Sequence, residues 1–234
     1  MKLIYESSTT LGAVAGAVKT GAGTVGEGRP RLADVAYAGL RDLIVTLRLA
    51  PGAPLQEEPL AEALGVGRTP LREAVQRLVS ESLVVVHPRR GTFVADVNLT
   101  DHALISDVRR RLEGLAAERA AQRATDADRA RLRELVTRLE EHPGGREAGM
   151  ELDTAVHREV HRCAHNRFLE ADLGRYHNLS LRIWYLFLDR LPEVDHRAEH
   201  VPMLDAVIAG DADLAREYAV AHVERFERSV REAI

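Results

Sequence analysis

Residues 56–95 read QEEPLAEALGVGRTPLREAVQRLVSESLVVVHPRRGTFVA, and the order of local signals in this stretch decides the fold of the N-terminal part. Leu60, Ala61 and Leu64 lie on one side of a short helix that stops at Gly65, where the absent Cβ lets the chain turn sharply. After Gly65-Val66-Gly67, Pro70 falls just inside a second helix, where a missing N–H costs nothing. Leu71, Ala74, Val75, Leu78 and Val79 recur at spacings of three and four and predict its buried face. Arg68, Thr69, Arg72, Gln76 and Arg77 take the other face. Two β runs, 83–86 and 92–95, then flank the basic turn His87-Pro88-Arg89-Arg90-Gly91. Helix, tight turn, helix and β-ribbon in this order make a winged helix-turn-helix. Its second helix can set N-terminal polar residues against base edges in the major groove. Arg89, Arg90 and Gly91 form a wing tip that can meet phosphates or the minor groove. A solvated loop and an ordinary amphipathic helix account for any one element, but poorly for all of them in sequence.

The net charge of −4 looks wrong for a nucleic-acid binder until it is divided along the chain. Residues 31–95 hold eight Lys/Arg against seven Asp/Glu, whereas residues 96–234 hold 21 against 27. The acidic excess therefore belongs to the C-terminal part, which should face away from phosphate. The chain, at 234 residues, is long enough for two modest domains. Cys163 is the only cysteine, which excludes a disulfide framework and a thiolate metal site and fits a reducing cytoplasm. No apolar run reaches the length of a membrane span. Glu6 and Lys19 interrupt residues 1–30, which do not read well as a signal peptide; rich in glycine and small side chains, they read as a disordered tail or as a mis-called start.

From Thr100 onward the pattern is helical only. Helices are expected over about 100–123, 126–141, 147–164, 167–189, 194–209 and 211–234, the second ending at His142-Pro143-Gly144-Gly145, the fourth broken by Pro192 and the fifth stopped by Gly210. In the first, Ala103, Leu104, Val108, Leu112, Leu115, Ala116 and Arg119 fall successively on or beside one stripe. The fold class is thus mainly α: 31–95 a winged helix-turn-helix preceded by the helix 32–49, 96–99 a linker, and 100–234 a bundle of six to seven helices.

Within the bundle, Asp153 and His157 stand four apart and project from one helix face. His200 is flanked by Val201, Leu204 and Val207, and His222 by Tyr218, Ala219 and Val223, so both should turn inward. One carboxylate and three imidazoles suit a divalent ion, Zn²⁺ foremost, with Mn²⁺, Ni²⁺ or Fe²⁺ as alternatives. His161, four residues after His157, offers a competing pair. Arg109 lies on the line of Ile105, Leu112 and Ala116 and should point inward, where a guanidinium needs an anion. That anion is either a ligand's carboxylate or a bundle acid such as Glu113.

The segment PGAPLQEEPLAEALGVGRTPLREAVQRLVSESLVVVHPRRGTFV, residues 51–94, resembles the DNA-binding domain of the GntR family of bacterial transcription regulators. The resemblance implies that Arg68, Thr69 and Arg72 contact DNA, with Arg89, Arg90 and Gly91 at the wing tip. Gly67 stands where the family usually has Ser or Thr, and Ser82 where it usually has Gly. Residues 100–232 are similar, more loosely, to the FCD effector-binding domain of the FadR-type branch. This likeness rests on Val108-Arg109 before Leu112-Glu113, Asp153-x-x-x-His157, Glu199-His200 before Leu204-Asp205-Ala206, Gly210-Asp211 and Ala221-His222. It implies that Asp153, His157, His200 and His222 hold the metal and that Arg109 clamps the carboxylate of a small organic acid. The resulting expectation is a cytoplasmic homodimeric regulator, a repressor by the family's commoner habit, that binds a palindromic operator and is not an enzyme. Two rivals are a metal-dependent hydrolase with Glu151 or Glu159 as general base, and an architectural DNA binder whose bundle only dimerises.

Overall fold

The computed structural model describes residues 30–142, 144–191 and 194–233. The expected disordered tail, Pro30 excepted, and the two breakers Pro143 and Pro192 fall outside the described residues. The chain divides into two compact units between Val97 and Asn98. Nine helices and two strands occur among the described residues.

In the N-terminal unit, α1 (Leu32–Val45) packs mainly on α3 (Arg68–Ser80); α1 buries Ala36, Leu40 and Ile44 completely and α3 buries Leu71, Ala74 and Leu78. A buried leucine contributes roughly 1.5–3 kcal/mol, so this short list carries much of the unit. Val75 and Val79, expected in that core, are only half buried. Tyr37 joins the same two helices: its hydroxyl donates to both oxygens of Glu81 at 2.8 and 2.9 Å, and the Arg77 guanidinium lies 3.8 Å over its ring. Between them, α2 (Glu57–Ala63) ends where Gly65 takes φ +64° and the Val66 N–H reaches back to the Ala61 carbonyl. The wing is the antiparallel pair β1 (Val84–His87) and β2 (Gly91–Val94), in register from Val84↔Val94 to His87↔Gly91. Residues 53–55, for which no strand is expected, add to its free side through Leu55 N–H to the Thr92 carbonyl and Val94 N–H to the Ala53 carbonyl, both 2.9 Å. Pro54 fits there because an edge position needs no donor.

The C-terminal unit comprises α4 (Asp101–Arg123), α5 (Asp126–Glu140), α6 (Arg146–Cys163), α7 (Arg167–Leu186), α8 (His196–Ala209) and α9 (Ala212–Ala233). Leu132, Leu135 and Leu139 of α5, Leu152, Val156 and Val160 of α6, and Leu204 and Val207 of α8 form the main core with the small residues of α4 and α9. Gly114 explains the close approach of those two helices, because a Cβ there would lie 2.9 Å from Val220 Cγ2. The stripe expected for α4 holds only in its later part, where Ala116 is buried and Leu112 and Leu115 pack beside it, and fails before that. Leu104 and Val108 are 65% and 37% exposed, while His102, Ser106, Arg109 and Glu113 are buried. The N-terminal half of α4 turns its polar face inward because the site described next needs it. Caps fix where the helices begin: Thr125 and Asp128 form a reciprocal capping box on α5, and Asn166 and Asp195 cap α7 and α8. Among the described residues, no helix is long and apolar enough to cross a membrane.

Candidate metal centre and nucleic-acid interface

Asp153 and His157 emerge one turn apart from α6, His196 and His200 one turn apart from α8, and His222 from α9, all buried. Their ligand atoms meet. Asp153 Oδ1 is 2.8 Å from His200 Nε2, 3.7 Å from His222 Nε2 and 3.9 Å from His157 Nε2. The two Nε2 atoms of His157 and His222 are 3.2 Å apart.

The protons sharpen this contact. His157 Nδ1 faces Glu113 at 3.3 Å and His222 Nδ1 faces Glu199 at 2.7 Å, so each Nδ1 donates to a carboxylate and each Nε2 presents a lone pair. Two lone pairs aimed at each other across 3.2 Å repel unless a proton or a metal ion lies between them. With metal–nitrogen bonds of about 2.1 Å, that separation corresponds to a bond angle of roughly 100°, between tetrahedral and octahedral values. The donor set therefore fits a divalent ion. Carboxylate–histidine pairs behind a ligand fix its tautomer in this manner.

Burial alone would raise the Asp153 carboxyl, but His157, His200 and His222 together carry it well below the usual carboxylate range. Burial pushes His222 down to about 4 against the opposing pull of Glu199, leaving a neutral imidazole. Ionised carboxylate and neutral imidazole are the forms that bind metal.

Arg109 is 4% exposed and donates through Nε and Nη2 to Glu113 Oε1 at 3.2 and 2.8 Å. Its side chain also lines a pocket of about 570 Å³, open mouth included, that contains Asp153, His157 and His222. Of the two anions left open for Arg109, the bundle acid is the one in contact. His161, the competing ligand, donates instead to Glu113 Oε2 at 2.7 Å, behind His157. Sequence reasoning misses four contributors: Glu113 and Glu199 as the carboxylates orienting His157 and His222, and His177 and His196 beside the cluster. The His196/His200 spacing repeats that of Asp153/His157 and was the available signal. Gly149 makes room for His196, since a Cβ there would sit 2.5 Å from its Cδ2. Neither general base named for a hydrolase is near: Glu151 is exposed, and Glu159 is held by Arg131 and Arg162.

On the N-terminal unit, Gly67 caps α3, so Arg68, Thr69 and Arg72 occupy its first turns and are exposed. Both arginines are paired with α2. Arg68 bonds Glu58, and Arg72 Nε lies 3.0 and 2.9 Å from the two oxygens of Glu57. Arg89 and Arg90 are exposed at the wing tip, Arg89 at φ +62° and Gly91 at φ +106°.

Residues 32–94 match the family described as bacterial regulatory proteins, gntR family, and residues 104–225 match the FCD domain. An HTH-type transcriptional regulator from an unstable DNA locus of Streptomyces ambofaciens is 33% identical over 202 residues, 84% of this chain and 83% of that protein. The HTH-type transcriptional repressor RspR of Escherichia coli is 26% identical over 84% of this chain and 87% of its own. The structure of E. coli McbR/YncC superposes with a TM-score of 0.73 at 22% identity, covering 87% of this chain and 99% of that one, a likeness of fold.

Proposed function

The chain belongs to the gntR family of bacterial regulatory proteins, with an FCD domain as its helical unit, and we propose that it is a homodimeric, metal-containing repressor whose grip on a palindromic operator is released by a small carboxylic acid. The observation that carries this reading is the opposed pair of Nε2 atoms on His157 and His222, 3.2 Å apart with both Nδ1 atoms committed to carboxylates. Asp153, His157, His200 and His222 would hold the ion, which supplies a Lewis-acidic position for one oxygen of the acid. Arg109 lines the same pocket and can take the ligand's second oxygen if it shares its guanidinium between that anion and Glu113.

Arg68, Thr69 and Arg72 would read base edges and Arg89, Arg90 and Gly91 would position the wing on the backbone. Two-fold symmetry of a dimer would be mirrored in the operator. The name of the E. coli relative supports repression. A cytoplasmic site of action follows from that role. Linkage requires that the acid weaken operator binding by the same factor as the operator weakens acid binding.

The test couples two measurements on the purified protein. Elemental analysis should find one divalent ion per chain, lost in the His157→Ala/His222→Ala variant. A thermal-shift screen of carboxylic acids on metal-replete protein should then reveal a ligand, because anything selective for the native state raises its apparent stability, and that ligand should weaken operator binding. Full metal content in the double variant would sink the ligand assignment, and a ligand that leaves operator affinity unchanged would sink the sensing role.

A further inference from the structure

We infer that α2 is a second base-reading element: Glu57, beside Arg72, accepts a hydrogen bond from the N4 amine of a cytosine whose guanine partner Arg72 takes, so that the two side chains read one G·C pair together. The inference rests on the placement of Arg72 in the major groove and adds what its carboxylate partner does there.

Leu60 and Ala61 are buried and fix the rotation of α2. One turn before them, Glu57 and Glu58 come out beside the first turns of α3. Arg72 Nε lies 3.0 and 2.9 Å from the two oxygens of Glu57, and its Nη2 lies 2.8 Å from Oε2. Arg68 and Glu58 repeat the pairing one turn earlier. All four side chains are between 42% and 74% exposed. Two guanidiniums thus meet two carboxylates at the end of α3 assigned to the groove. Exposed ion pairs add little to stability, and carboxylates facing a duplex cost affinity on every sequence. Their position is explained if they are used on particular sequences.

The chemistry of a carboxylate names the base. Hydrogen bonds from Arg72 hold the Glu57 carboxyl below its usual range, so it is ionised and can only accept. In the major groove guanine presents two acceptors, thymine one, adenine an acceptor beside its amine, and cytosine the N4 amine alone. Cytosine is therefore the one base that offers a carboxylate a donor without an opposing lone pair. Its guanine partner offers N7 and O6, the acceptor pair onto which a guanidinium forks. Spacing agrees. O6 and N4 of a G·C pair are hydrogen-bonded to each other at about 2.9 Å, and Arg72 Nη2 and Glu57 Oε2 are 2.8 Å apart.

Exchange on such a pair strands nothing. The guanidinium passes from the carboxylate to guanine, and the cytosine amine takes its place on the carboxylate. On a phosphate the guanidinium is bonded again, but the carboxylate is left beside further negative charge. On an A·T pair it is left beside a lone pair. The loss falls on wrong sequences only, which is discrimination by repulsion.

The experiment selects binding sites from a pool of fully randomised duplexes with the full-length protein at one fixed salt concentration, in parallel for the parent, Arg72→Ala, Glu57→Ala and Glu57→Gln. The parental consensus should contain a G·C pair preferred roughly tenfold over A·T. Arg72→Ala and Glu57→Ala should both erode the preference at that same position. Glu57→Gln should bind the pool as a whole more tightly, since a charge facing phosphate is gone. It should also move the preference at that position towards A·T, because a carboxamide donates as well as accepts and matches adenine N6 and N7. Glu57 variants that tighten binding on every sequence alike, with the parental preference intact, would overturn the inference and leave Arg72 reading guanine. A preference lost at a different position from that of Arg72→Ala would overturn the joint reading of one base pair. A parental protein that selects no consensus would remove base reading by α3 and this inference together.

Discussion

Replacing Glu199 by Gln should weaken metal binding although every ligand atom stays in place. One oxygen of Glu199 accepts from His222 Nδ1 at 2.7 Å and the other from Arg225 Nε at 2.9 Å. A carboxamide has one acceptor oxygen for these two donors. If it serves His222, the NH₂ group is set against the guanidinium. If it serves Arg225, the NH₂ group meets Nδ1 and drives the imidazole to the other tautomer, with its proton on Nε2 where the lone pair is needed. Loss of an orienting carboxylate behind a ligand lowers metal affinity about 10- to 100-fold, or about 1.4–2.7 kcal/mol. At saturating Zn²⁺ the variant's Tm should fall by roughly 5–10 °C for a unit of this size, while the metal-free forms should melt closer together. Calorimetric titration of Zn²⁺ into metal-free protein measures the affinity directly. A dissociation constant within twofold of the parent protein's would refute the reasoning, because His222 would then either not ligate or not depend on Glu199 for its tautomer.

Three further outcomes are expected. Arg72→Ala should weaken operator binding roughly ten- to a hundredfold at fixed salt, and Glu57→Gln, which frees the same guanidinium, should strengthen it; electrophoretic titration showing both variants at parental affinity would remove Arg72 from the interface. Ser82, at φ +65°, occupies a backbone conformation that disfavours a side chain, so Ser82→Gly should stabilise the protein by about 1 kcal/mol, read as a higher urea midpoint at unchanged slope. For Asp128, burial pushes the carboxyl up, but its bonds to Thr125 and His165 and the charge of Arg162 hold it far below the usual range. Arg131 also pairs with it. A depressed carboxylate lends stability above its unfolded value near 4 and loses it as pH falls through that region, so Asp128→Asn should be less stable at neutral pH yet lose less between about pH 5 and 2; parallel pH profiles would exclude the linkage.

The winged helix was legible because its signals are local: a glycine that must turn, apolar spacings of three and four, and a basic turn between two β runs. Residues 53–55 were not, since their pairing with Thr92 and Val94 crosses about 40 positions and leaves no periodic trace. The inward face of the first half of α4 was misread for a related reason. Periodicity marks stripes but cannot say which stripe packs, and here the polar one does because it serves a site. In that site, Asp153 and His157 share a face by spacing alone, as do Arg109 and Glu113, but the pairing of Glu113 with His157 and His161 exists only through the meeting of α4 and α6. Arg109 could be read as inward-pointing and Glu113 as one of its two candidate partners; that Glu113 also bonds two histidines could not.

The Arg68–Glu58 and Arg72–Glu57 pairs bear on how this protein should respond to ionic strength. A lysine or arginine that approaches DNA from open water releases condensed cations from the duplex, and the steepness of binding against salt reflects how many do so. In the interface proposed above each guanidinium would leave a glutamate to meet DNA, and added salt would weaken the ion pair it leaves as well as its attraction to the duplex. The two arginines should therefore register only fractionally in the salt slope, so that the number of neutralised phosphates drawn from that slope would fall short of the true one for this interface.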